Sequence, residues 1–145
     1  MAMDTAKSAG TNNGGKGKLP KPNNIITIPI AKDYDFFHWW CVFLRPVINL
    51  TNREIDVIAS FLKQRWELSK SISDQAILDE MVMSDATKRK VMDECGISLQ
   101  HFYVVMSNLR KSKIIEKGKI NPRLIPNIRQ DSDNYFQLMI LFKKQ

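Results

Sequence analysis

The sequence predicts an α+β domain, mainly helical, carrying a small antiparallel sheet. Three observations lead there. Four segments open on a Ser or Thr and continue with apolar residues at helical spacing. Two short apolar runs flank Lys117-Gly118, a dipeptide suited to a tight turn. Near the C-terminus Phe136, Leu138, Ile140 and Phe142 alternate with Gln137, Met139, Leu141 and Lys143, the period-two pattern of a strand with one buried face.

Along the chain, residues 1–23 lack apolar periodicity and include Gly14-Gly15-Lys16-Gly17-Lys18, so they are expected to be a disordered basic tail. Residues 24–145 are expected to form one domain. Asn24–Ile30 is Ile-rich and reads as a short strand, confined to a sheet edge because Pro29 lacks an N–H. It is expected to share one sheet with the hairpin and the last strand. Phe36–Leu44 reads as an aromatic helix ending near Pro46. Thr51-Asn52-Arg53-Glu54 is a capping box, and the helix behind it sets Ile55, Ile58, Ala59, Leu62 and Trp66 on one face. Ser73 is expected to cap a shorter helix carrying Ile77, Leu78 and Met81. Ser84 is expected to cap one running to about Glu94, and Ser98 one running to about Lys111. Ile114-Ile115 and Ile120 form the two hairpin strands. Pro122 and Pro126 interrupt pairing across Asn121–Asn127, and Asp131-Ser132-Asp133-Asn134 is a turn cluster.

Composition excludes several function classes. At 145 residues and 43% hydrophobic, the chain suits one domain and a tail. No apolar run approaches the ~20 residues that span a bilayer, so no membrane partner is expected. Cys41 and Cys95 have neither CxxC spacing nor a His pair nearby, so they read as reduced core thiols and not as a zinc site. His38 and His101 are far apart. Asp79-Glu80 and Asp93-Glu94 are adjacent pairs, and side chains at i, i+1 do not face each other on a helix. Gly14-Gly15-Lys16-Gly17 lacks the flanking strand and helix of a phosphate-cradling loop. The expectation is a non-enzymatic protein with no catalytic residue, metal or cofactor. Phe36, Phe37, Trp39, Trp40 and Phe43 are expected to build core or a subunit interface.

Net charge is +7, and it is unevenly placed. Residues 84–123 hold nine basic and four acidic side chains, a net +5, and the tail adds +3, whereas residues 24–83 carry −2. Such local excess favours a polyanion through release of its counterions.

The chemistry concentrates in Lys88–Leu109. Two helices are expected to meet at a steep angle through a short turn, with Gly96 taking the positive φ, Ile97 filling the angle and Ser98 capping the second helix. Val91 and Cys95 face inward from the first helix; Phe102, Val105, Met106 and Leu109 face inward from the second. Gln100, His101, Tyr103, Val104, Ser107, Asn108 and Lys111 are left outside. The segment resembles helix-turn-helix DNA-binding domains in its turn glycine, the apolar residue after it, and Phe102 with Val105. Met92 stands where that family usually has a small residue. The run Leu109-Arg110-Lys111-Ser112-Lys113-Ile114-Ile115, followed by Lys117-Gly118-Lys119 as a basic tip, resembles the recognition helix and wing of winged helix domains. The resemblance, over about residues 50–122, implies a winged helix-turn-helix with a small antiparallel sheet, binding duplex DNA. Gln100, His101, Tyr103 and Asn108 would approach bases, and Arg110, Lys111, Lys117 and Lys119 would lie on phosphates. The whole chain also resembles small proteins of tailed phages that infect Bacteroidetes, on the stretch Ile120-Asn121-Pro122-Arg123-Leu124-Ile125-Pro126.

Two function classes follow. One is a DNA-binding regulator, or an accessory factor of replication or transcription, in the cytoplasm of a bacterial host. The other is a virion component, in a ring or connector, that uses the same fold to contact its own copies or phage structural proteins.

Overall fold

The computed structural model describes residues 25–132, 135–138 and 140–145. The expected disorder of residues 1–23 lies outside the described residues, as do Asn24, Asp133, Asn134 and Met139. The chain is mainly helical, with five α-helices among the described residues: α1 (Asp33–Leu44), α2 (Asn52–Ser69), α3 (Gln75–Val82), α4 (Asp85–Cys95) and α5 (Leu99–Lys111). A hairpin of β1 (Ile115–Glu116) and β2 (Lys119–Ile120) follows, then a 3-10 turn at Pro122–Leu124 and a second hairpin of β3 (Arg129–Ser132) and β4 (Tyr135–Gln137). The helices and first hairpin belong to one compact unit, Ile30–Ile125; the second hairpin belongs to another, which among the described residues takes in those from Pro126 onward and 25–29.

Within the first unit α2 is the central element, packed against α1, α3, α4 and α5. Its start is set locally: Thr51 accepts from the Glu54 N–H at 3.2 Å, and Glu54 accepts from the Thr51 N–H at 3.1 Å. Four helix neighbours require burial on more than one face. Ile55, Ile58, Ala59 and Leu62 are buried as expected, but so are Val57, Ser60 and Phe61, and Trp66 is only half-buried. The Trp66 ring packs 6.0 Å from Phe37 and carries the Lys70 ammonium 3.9 Å above it.

α1 starts three residues before its aromatic run. Asp35 draws the start back, because its carboxylate accepts from the N–H groups of Ala31 and Lys32 at 3.1 and 3.2 Å. Phe37 and Cys41, one turn apart, face the core, and the Trp40 indole donates to the Leu124 carbonyl at 2.7 Å. Trp39 and Phe43 stay exposed.

The structure corrects several expectations. The cap of α3 is Asp74, which accepts from the Ile77 N–H at 3.1 Å, and not Ser73. Of its apolar residues, Leu78 and Val82 are buried while Ile77 and Met81 face outward. Residues 25–30 form no strand, and Ile25, Ile26, Ile28 and Ile30 are exposed; β-branched residues favour a strand only where a neighbour completes its hydrogen bonds. The C-terminal strand is only Tyr135–Gln137, and Ile140, Leu141 and Phe142 are exposed, Phe142 at 97%. The hairpin and this strand do not share a sheet. β1 pairs with β2 and β3 with β4, in two separate antiparallel sheets, and Asp131 and Ser132 sit in β3 and not in a turn.

Candidate nucleic-acid interface

α4 is fastened to α2 by polar contacts that sequence patterning does not display. The Ser60 hydroxyl, fully buried, donates to Glu94 at 2.6 Å, and Lys63 donates to the other Glu94 oxygen at 3.0 Å. Arg53 donates to the Cys95 carbonyl at 3.3 Å, and the Cys95 thiol donates to the Asp56 carbonyl at 3.3 Å. Desolvation pushes that thiol up to about 11, so it stays a neutral donor at physiological pH. Val91 and Thr87 are buried beside it in sequence on the inward side of α4, while Arg89 and Lys90 are exposed.

The chain then turns on Gly96, at φ +63° and ψ +39°. The Gly96 N–H donates to the Asp93 carbonyl at 3.3 Å and the Ile97 N–H to the Met92 carbonyl at 3.2 Å, which together close the end of α4. Met92 itself is half-buried. The Ser98 hydroxyl accepts from the His101 N–H at 3.2 Å and starts α5.

α5 divides as its sequence requires. Phe102, Val105, Met106 and Leu109 are buried, with Phe102 6.2 Å from Phe61 of α2. Burial of each such side chain is worth about 1.5–3 kcal/mol, so the orientation of the helix is firmly held. Gln100, His101, Tyr103, Asn108, Arg110 and Lys111 are all exposed, as is Val104, which the sequence places outward without a role.

α5 ends in the same backbone turn as α4, without a glycine. The Lys113 N–H donates to Arg110 at 3.1 Å and the Ile114 N–H to Leu109 at 2.9 Å, with Lys113 at φ +63°. Asn121 secures the turn: its side-chain amide donates to the Lys113 carbonyl at 3.2 Å and its N–H to the Ile114 carbonyl at 2.9 Å. The first hairpin pairs Ile115 with Ile120 and Glu116 with Lys119. Its tip is Lys117-Gly118, at φ +56° and +74°, the pair of positive φ values that two-residue hairpins favour. Lys119 is thus in β2 and not at the tip. It is half-buried, and its ammonium lies 3.9 Å from the Asp79 carboxylate of α3.

Seven of the eight residues proposed from the sequence are therefore exposed on α5 or the hairpin tip, and the eighth, Lys119, is partly shared with α3. Lys113, exposed between them, reads from the sequence with Arg110 and Lys111 as either a solvated helix end or a phosphate contact; its left-handed conformation is what the structure adds. From Asn108 to Lys119 there are five basic residues and one acid, Glu116. Among the described residues no group of His, Cys, Asp and Glu could hold a metal ion, and no helix is long and apolar enough to cross a membrane. Comparison with protein-family models, with curated proteins and with solved structures gives no match.

Proposed function

We propose that α4, the Gly96 turn, α5 and the first hairpin form a winged helix-turn-helix that binds duplex DNA without catalysing a reaction, in a regulator or an accessory factor of replication or transcription. One observation carries this reading. α5 buries its apolar stripe while exposing Gln100, His101, Tyr103 and Asn108, and its basic end runs directly into a hairpin tipped by Lys117. A helix so held can enter a major groove, with the cations beyond its end on the phosphate backbone. The test is titration of duplex DNA by fluorescence anisotropy over a range of salt. Affinity is expected to fall steeply and log-linearly with salt. Absence of binding at low salt rejects the reading.

Exposed Trp39 and Phe43, whose rings lie 6.1 Å apart on α1, favour a second reading, a virion component in which this chain contacts protein. Stoichiometric recovery of the protein with mature particles is its test; confinement to the cytoplasm of infected cells counts against it.

A further inference from the structure

The outward crest of α5 carries an unusual set of side chains for a nucleic-acid-facing helix. At about 100° per residue, the line opposite the buried stripe runs through Gln100, Val104, Ser107 and Lys111. Val104 is 54% exposed at the middle of that line, and Tyr103, the residue before it, is 61% exposed. From Leu99 to Asn108 there is no Asp, Glu, Lys or Arg; the cations begin at Arg110.

Base-edge chemistry gives this pattern a meaning. Guanine is read best by Arg or Lys, and cytosine by an acceptor such as a carboxylate. The first ten residues of α5 contain no Arg, Lys, Asp or Glu. Adenine presents an acceptor beside a donor, which the Gln100 amide matches with its own donor and acceptor, and thymine presents a methyl group, which suits an apolar side chain. Val104 has no polar side-chain atom, so pressed on a G·C pair it would leave base donors and acceptors desolvated and unpaired. Gln100 and Val104 stand one turn apart, about 6 Å along the axis, close to two base-pair steps of about 3.4 Å.

Resting on the DNA-binding reading above, we infer that the crest of α5 reads A·T pairs in the major groove, Gln100 on adenine and Val104 on a thymine methyl group. The test uses the full chain. Duplexes are selected from a random-sequence pool at low salt, and the recovered duplex is remade with thymine replaced by uracil, or adenine by 7-deazaadenine. An A·T core is expected. Uracil removes only the methyl group and should weaken binding about fourfold, the worth of one buried methyl. It should leave Val104→Ser unaffected. 7-Deazaadenine should weaken the wild type by about fivefold or more and leave Gln100→Ala unaffected. Both side chains are exposed, and unchanged circular dichroism confirms that the variants fold. A G·C core, or equal binding to uracil and thymine duplexes, overturns the inference while DNA binding stands. Recovery of no duplex rejects the DNA-binding reading and this inference with it. If Val104→Ser alters the sedimentation of the protein and not its base preference, the crest is a protein contact and the inference is overturned.

Discussion

The Lys119 ammonium lies 3.9 Å from the Asp79 carboxylate, so a hairpin cation is shared with the helix that packs against its strand. Lys117, two residues earlier, is exposed and has no ion-pair partner among the described residues. The two lysines look equivalent in sequence and differ in what each can offer a phosphate.

Lys117→Ala should therefore weaken binding to every duplex and reduce the salt slope by about 0.9, the release of one counterion. Lys119→Ala should reduce it by less, because Asp79 already neutralises part of that charge; a partly exposed pair of this kind is worth about 0–1 kcal/mol to folding. The double variant should flatten the slope by more than Lys117→Ala alone and by less than two contacts. Equal slopes for the two single variants would show that Lys119 leaves Asp79 in the complex.

Gly96→Val should destabilise the protein by about 1–2 kcal/mol in denaturant melts. A Cβ built at Gly96 meets nothing within 4 Å, so the cost is one of backbone conformation at φ +63° and not of crowding. Gly96→Asn should cost clearly less, because Asn tolerates the left-handed region. If Val and Asn are equally harmful, crowding and not φ governs the turn.

Lys113 occupies at the end of α5 the position that Gly96 occupies at the end of α4, with the same φ of +63°. Lys113→Gly should raise stability by about 1 kcal/mol by relieving the left-handed residue, and should weaken duplex binding by removing a cation from the site. The opposite signs of the two effects are the prediction. Loss of stability would mean that the lysine side chain secures this turn.

The cysteines should be poorly reactive in the folded protein. Burial pushes the Cys41 thiol up to about 12 and the Cys95 thiol up to about 11. The fold favours the neutral thiols, so their contribution to stability is whole below the ordinary value of 9.0 and is lost as pH rises through the folded values. At pH 8, alkylation followed by mass spectrometry should label Cys95 slowly and Cys41 only after unfolding. Rapid native labelling of Cys41 would contradict its burial.

Local chemistry was legible in the sequence. Thr51 with Glu54, Ser84, Ser98, Gly96 and Lys117-Gly118 mark helix starts and turns because the groups that satisfy them lie within a few residues. The inward stripe of α5 was legible for the same reason, since 3.6-residue periodicity is a local property, and its outward residues followed by elimination. Features that need a distant partner were decided by tertiary structure. Asn24–Ile30 and Phe136–Phe142 have strand composition, yet a strand exists only where a neighbour supplies its hydrogen bonds, and among the described residues of these segments only those within Tyr135–Gln137 find one. Ser60 and Lys63 meet Glu94, and Lys119 meets Asp79, only because packing around α2 and α3 brings remote segments together. Lys113 shows the limit most clearly: nothing in its residue type calls for a left-handed backbone. The join between a buried helix and a buried hairpin strand imposes it, with Asn121 holding the turn from the far side.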